Sequence, residues 1–105
     1  MSWDAATRNA FYGPDTGWVY FITLGEPPIW VKIGFTKWEP ASRMASLQTG
    51  CPYPMSLLGF VPGARGLERD LHDVLRNDRR QGEWFEFTER TQSIIADMMA
   101  QDALV

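Results

Sequence analysis

The strongest β-forming stretch of the chain comes in two pieces with a proline-containing break between them. Residues 18–24 (Trp-Val-Tyr-Phe-Ile-Thr-Leu) and 29–36 (Ile-Trp-Val-Lys-Ile-Gly-Phe-Thr) are rich in β-branched and aromatic side chains, which favours strands. The short link Gly25-Glu26-Pro27-Pro28 predicts that the two strands form an antiparallel hairpin. Because its two prolines exclude the commonest two-residue turns, we expect an irregular loop.

Helical periodicity begins after this hairpin. Leu67, Leu71, Val74 and Leu75 fall on one face and predict a helix over residues 65–79. A shorter helix is predicted over 39–48, because Pro40 fits a first helical turn and Gly50 fits a C-cap.

The other elements are a last helix and two extended segments. Thr88 is a good N-cap for a helix over 89–102. Residues 55–61 predict a third strand, and residues 83–87 a short strand or extended segment. The resulting order β-β-α-β-α-(β)-α predicts an α+β fold, in which a small antiparallel three-stranded sheet is flanked by helices.

Length and composition predict one domain. The chain has 105 residues, of which 45% are apolar, enough for one hydrophobic core but not for two. Residues 1–16 are polar and broken by Gly13-Pro14, so we expect an irregular N-terminal lead-in before a single domain over residues 17–105.

The single cysteine and the hydropathy pattern favour a cytoplasmic protein. Cys51 is alone and cannot form an internal disulfide, which is typical of a reducing compartment. No apolar run approaches the roughly 20 residues of a membrane span, and no signal peptide is predicted.

Five short motifs occur in order along the predicted elements. They are Val19-Tyr20-Phe21, Val31-Lys32-Ile33-Gly34, Arg43, Leu67-Glu68-Arg69-Asp70-Leu71-His72 and Gly82-Glu83-Trp84-Phe85. Together they resemble the GIY-YIG nuclease superfamily, in the phage-type branch whose second motif reads Lys-Ile-Gly. The resemblance implies a small GIY-YIG-like domain that hydrolyses DNA phosphodiester bonds with Mg²⁺ or Mn²⁺.

The resemblance also implies site residues. Tyr20, Lys32, Arg43 and Glu68 match the motif positions that act in catalysis, and Glu68 matches the metal ligand. His72 lies four residues after Glu68 on the same helix face, where it could support the site or contact a phosphate. The late asparagine often found in the superfamily has no match here.

Tyr20 would need help to act as a base, because an unperturbed tyrosine with a pKa near ~10 is only about 0.1% ionised at pH 7. A lysine at ~4 Å is worth about 4 kcal/mol at an effective dielectric of ~20, which corresponds to about three pKa units. We therefore predict that Lys32 lowers the pKa of Tyr20, so that Tyr20 orients or deprotonates the attacking water.

The net charge of −3 is unusual for a domain that holds DNA alone, so we expect weak, salt-sensitive binding or help from a targeting or host protein partner. DNA is the implied ligand, and RNA is left open. The alternative function is a catalytically inactive module that binds nucleic acid or a protein. The candidate nucleic-acid contacts are Lys37, Arg65, Arg69, Arg76, Arg79 and Arg80.

Overall fold

The computed structural model describes residues 17–103, with side chains described for residues 17–101. The predicted lead-in over residues 1–16 lies outside this part of the chain. The strands are β1 (Gly17–Leu24), β2 (Trp30–Thr36), β3 (Met55–Gly63), β4 (Arg79–Gln81) and β5 (Trp84–Glu86). The helices are α1 (Pro40–Gln48), α2 (Arg65–Val74) and α3 (Glu89–Ala103), with a 3₁₀ turn at Arg76–Asp78.

The strands form one antiparallel sheet in the order β3-β1-β2-β5-β4. The predicted α+β class and the β1–β2 hairpin are confirmed, but the prediction of three strands is wrong. Residues Trp84–Glu86 pair with β2, and Arg79–Gln81 pair in turn with β5. The sheet therefore extends two strands beyond the predicted one.

The predicted helix over 65–79 is too long, since α2 ends at Val74. Asn77 and Asp78 disfavour a helix interior because their short polar side chains compete for backbone hydrogen bonds. The Asp78 carboxylate instead accepts hydrogen bonds from the Thr88 and Thr91 hydroxyls, at 2.8 and 2.9 Å. Thr88 caps α3 as predicted, because its hydroxyl accepts a bond from the Thr91 N–H at 3.2 Å.

The sheet has two differently covered faces. Val19 and Phe21 of β1 and Val31 and Ile33 of β2 belong to the hydrophobic core, which α2 and α3 complete. The opposite face carries the alternate residues of β1 and β2, and α1 packs against β1 and β3. Because β1 is buried on both faces, its sequence is an almost continuous apolar run.

Among the helices of residues 17–103, none combines the length and hydropathy that a membrane crossing requires.

Candidate functional site

Tyr20 and Gly34 form the centre of the site, on the sheet face opposite the main core. They are direct cross-strand partners in β1 and β2, so the Tyr20 side chain extends over Gly34. A Cβ on Gly34 would overlap the Tyr20 hydroxyl and lie 2.9 Å from Glu83 Oε1. Only glycine leaves room for this ring, which is 1% exposed.

Arg43 reaches Tyr20 from α1, and its guanidinium donates a hydrogen bond to the Tyr20 hydroxyl. Burial nevertheless raises the pKa of Tyr20 above 10, and the negative charges of Glu83 and Glu68 raise it further, against the lowering effect of Arg43. The prediction that Lys32 lowers the pKa of Tyr20 is therefore wrong. The phenol carries its proton at neutral pH.

Lys32 lies on the same face, two residues before Gly34, but it is held by other groups. Its Nζ lies 3.3 Å from Glu83 Oε1 and 5.5 Å from the centre of the Trp84 ring. The Lys32 side chain is 14% exposed. It also lines an open groove of about 370 Å³ that continues past Trp84 to Cys51 and Pro52.

Glu83 is a site residue that the sequence analysis missed. It follows Gly82, whose φ of 58° makes the tight turn between β4 and β5. The Ile33 N–H donates to the Glu83 carbonyl at 2.9 Å, which fixes the Glu83 backbone beside β2. The only sequence signal was an acidic residue inside the Gly82–Phe85 motif, and nothing in the sequence shows that this motif pairs with β2.

Glu68, in the first turn of α2, completes a cluster of ionisable side chains. The other members of this cluster are Tyr20, Lys32, Arg43 and Glu83. Burial raises its pKa above the ordinary value, and the charge of Glu83 adds to this effect. His72, Arg65 and Lys32 act in the opposite direction. Glu68 is therefore a partly buried carboxylate with a second carboxylate and several cations nearby.

His72 joins α2 to β2. Its Nε2 lies 2.9 Å from the Ile33 carbonyl oxygen, and since a carbonyl only accepts, this nitrogen donates the hydrogen. Its ring packs on Phe85, with 4.9 Å between the ring centres. The imidazole thus ties the helix that carries Glu68 to the strand that carries Lys32.

The residues that could hold a divalent cation are few. Among residues 17–101, no group of three His, Cys, Asp or Glu side chains converges in metal-binding fashion. Glu68 and Glu83 provide two carboxylates whose charges influence each other. This donor set fits Mg²⁺, which keeps several waters and commonly uses one or two carboxylates together with substrate phosphates.

The predicted nucleic-acid contacts divide into three groups. Arg65 lies near Glu68, with its guanidinium 4.9 Å from the centre of the Phe35 ring. Arg76 pairs with Asp73 at 3.7 Å and Arg80 with Glu86, so carboxylates already neutralise part of their charge. The remaining candidates Lys37, Arg69 and Arg79 are exposed.

The five residues proposed as catalytic come together in the structure. Tyr20 interacts with both Arg43 and Glu68, and Lys32 and His72 interact with Glu68. Comparison with known families adds that residues 17–99 match the model of the T5orf172 domain. The chain belongs to the T5orf172 domain family. No curated protein and no solved structure matches the chain significantly.

The T5orf172 match corrects the earlier family assignment. T5orf172 is a phage-type domain with a related fold, but it is not GIY-YIG itself, so the GIY-YIG assignment is wrong. The motifs behind it are short, and local packing explains much of them. The Tyr20 ring fits only over a glycine at position 34, and the Lys32 ammonium is paired with the Glu83 carboxylate. Such constraints specify a local structure rather than one family. The whole cluster lies inside the matched T5orf172 region.

Proposed function

We propose that this T5orf172 domain binds DNA and hydrolyses its phosphodiester bonds with the help of Mg²⁺ or Mn²⁺. The observation that carries the proposal is the convergence of ionisable side chains from β1, β2, α1, α2 and the β4–β5 turn. Tyr20, Lys32, Arg43, Glu68 and Glu83 come from distant parts of the chain yet influence one another electrostatically. Membership of a family with nuclease-like or DNA-binding character supports the same conclusion.

The cations of the cluster suit a phosphodiester. The planar guanidinium of Arg43 can hold a phosphate oxygen while it stays bonded to Tyr20, and Lys32 adds a point charge. In the reaction, a water oxygen bonds to phosphorus and the bond from phosphorus to the sugar oxygen breaks. One water proton is lost to a base or to solvent, and the leaving oxygen gains one.

One carboxylate of the cluster suits a cation. Glu68 would hold Mg²⁺ or Mn²⁺, which when bound would supply charge neutralisation at the phosphate, while Glu83 pairs with Lys32 in the free protein. Glu68 also has a raised pKa, which brings it closer to the range in which a carboxylate can exchange a proton at neutral pH.

Tyr20 acts in this scheme as a positioning residue. It is 1% exposed and its pKa is raised, which disfavours the ionised phenolate that would be needed to remove a proton from water. Its hydroxyl accepts the Arg43 hydrogen bond and so restricts the position of the guanidinium.

A second candidate function is a binding module without hydrolytic activity. It is favoured by the ion pairs Arg76–Asp73 and Arg80–Glu86 and by the net charge of −3, which together limit the free positive charge available to DNA. A protein or RNA partner would then supply the rest of the affinity.

The two functions are separated by a nicking assay. Supercoiled plasmid is incubated with the full chain and Mn²⁺, Mg²⁺ or EDTA, and a single-stranded RNA serves as a parallel substrate. We expect metal-dependent nicking of DNA that Glu68→Gln reduces at least tenfold. Asp73→Asn, on the same helix and 78% exposed, serves as the matched control and retains activity. Binding without nicking under every condition overturns the hydrolase and leaves the binding module.

A further inference from the structure

The position of Glu83 has a consequence for how this site meets an anion. We propose that the Glu83 carboxylate occupies the place of a nucleic-acid phosphate on Lys32 in the free protein, and that the incoming phosphate displaces it. The inference rests on the proposed function, since it names the group that competes with the ligand at the same site.

The first observation is the environment of Lys32. With its side chain 14% exposed, the ammonium has little access to water and needs an anion beside it. Glu83 Oε1 supplies that anion at 3.3 Å, while the centre of the Trp84 ring lies 5.5 Å from the same nitrogen. A phosphate oxygen could satisfy the same ammonium.

The second observation is the freedom of Glu83. Its side chain is 35% exposed, so it can turn into solvent when the ion pair opens. The backbone of Glu83 stays in place regardless, because its carbonyl accepts the Ile33 N–H bond. The exchange thus requires rotation of one side chain and no change in the sheet.

The third observation is the charge that Glu83 imposes on its neighbours. It lies beside the Tyr20 hydroxyl above Gly34, and its charge acts on both Tyr20 and Glu68. While Glu83 remains in this position, a phosphate that approaches Arg43 also meets a negative charge. Removal of that charge should therefore tighten binding even when no divalent cation is present.

The protein offers a closely matched control. Glu86 lies at the end of β5, pairs with Arg80, and has a side-chain exposure of 36% against 35% for Glu83. Glu83→Gln and Glu86→Gln change the net charge equally, and each removes one ion pair. Because Glu86→Gln releases Arg80, it measures the gain from freeing an exposed cation outside the candidate site, which only Glu83 contacts.

The test measures binding of a fluorescein-labelled DNA oligonucleotide by anisotropy, in EDTA, with the full chain. We expect Glu83→Gln to lower Kd by about fivefold, which corresponds to about 1 kcal/mol, the upper end for a partly exposed ion pair. Glu86→Gln should stay within about twofold of the wild type. Equal effects of the two variants, or weaker binding by Glu83→Gln, overturn the inference.

Three further variants keep the outcomes separable. Lys32→Gln should weaken binding more than Arg90→Gln, an exposed site on α3 with the same charge change; if it does not, the proposed phosphate contact fails whatever Glu83 does. Glu83→Ala repeats the removal of charge without an amide. A melting curve for each variant confirms that it is folded.

Discussion

The Tyr20 hydroxyl lies in the space that a side chain on Gly34 would fill. This relationship places a tyrosine of β1 across the middle of β2, where Arg43 and Glu83 both reach it. The position of Tyr20 in the cluster therefore depends on the missing Cβ of Gly34.

Gly34→Ala tests this dependence. The added Cβ overlaps the tyrosine hydroxyl, so the ring must move away from Arg43. Forced overpacking of this kind costs about 1–3 kcal/mol. We expect a lower Tm together with weaker DNA binding. Gly50→Ala is the control, because a Cβ there meets nothing within 4 Å. An unchanged Tm and Kd for Gly34→Ala would show that the ring is not held in this position.

The hydrogen bond between Arg43 and Tyr20 predicts non-additive effects. Tyr20→Phe keeps the buried ring and removes only the hydroxyl, whereas Arg43→Ala removes the guanidinium. If Tyr20 acts through Arg43, the double variant should bind DNA no more weakly than Arg43→Ala alone. The measurement is a double-mutant cycle on Kd. Additive losses would show that the Tyr20 hydroxyl contacts the nucleic acid independently.

The substitution Glu68→Gln should raise the stability of the fold in a pH-dependent way. Its pKa in the folded state is raised above the ordinary value of 4.5, mainly by burial, so the folded state binds the proton more tightly than the unfolded state. The wild type therefore loses stability as pH rises from that value through the raised pKa. Glu68→Gln resembles the protonated form at every pH.

Melting curves for Glu68→Gln and the wild type should thus nearly coincide below pH 4. The variant should become the more stable of the two as pH approaches 7, even though it loses nicking activity. The stability of Glu68→Gln relative to the wild type could instead fall between pH 4 and pH 7. That result would mean that the ionised carboxylate stabilises the fold.

Thr91 predicts a change in stability without a change in binding. Its hydroxyl is buried and donates to the Asp78 carboxylate, which joins the start of α3 to the 3₁₀ turn after α2. Thr91→Val should cost about 1–3 kcal/mol, or roughly 4–8 °C in Tm per kcal/mol. Thr49→Val, at an exposed hydroxyl, should cost less. The Kd for DNA should remain that of the wild type, and a large rise would indicate that α3 also supports the site.

Local patterns predict most of the elements but not the full sheet. The β1 and β2 runs are long and strongly β-forming, so their pairing could be inferred from the short link alone. Strand β4 carries no such signal, because Arg79–Gln81 is entirely exposed and polar. The pairing of β5 with β2 joins residues about fifty positions apart, and no local propensity encodes it.

The site residues also divide into those that local motifs predict and those that depend on long-range contacts. Tyr20, Lys32, Arg43 and Glu68 could be proposed from short motifs, although the family assignment behind those motifs required correction. Glu83 could not, because its role depends on the contact between the β4–β5 turn and β2. The direction of the Tyr20 pKa was also mispredicted, because burial and two carboxylates outweigh the one cation bonded to it.

The two residues of the Lys32–Glu83 ion pair lie in parts of the sheet that are held to different degrees. Lys32 belongs to a seven-residue strand bonded on both sides, by β1 and by β5, whereas Glu83 sits at the turn of a hairpin whose strands have three residues each. The Glu83 side chain is also the more exposed of the two, at 35% against 14% for Lys32. A ligand can accordingly displace the Glu83 side chain while Lys32 and the backbone of the sheet keep their positions.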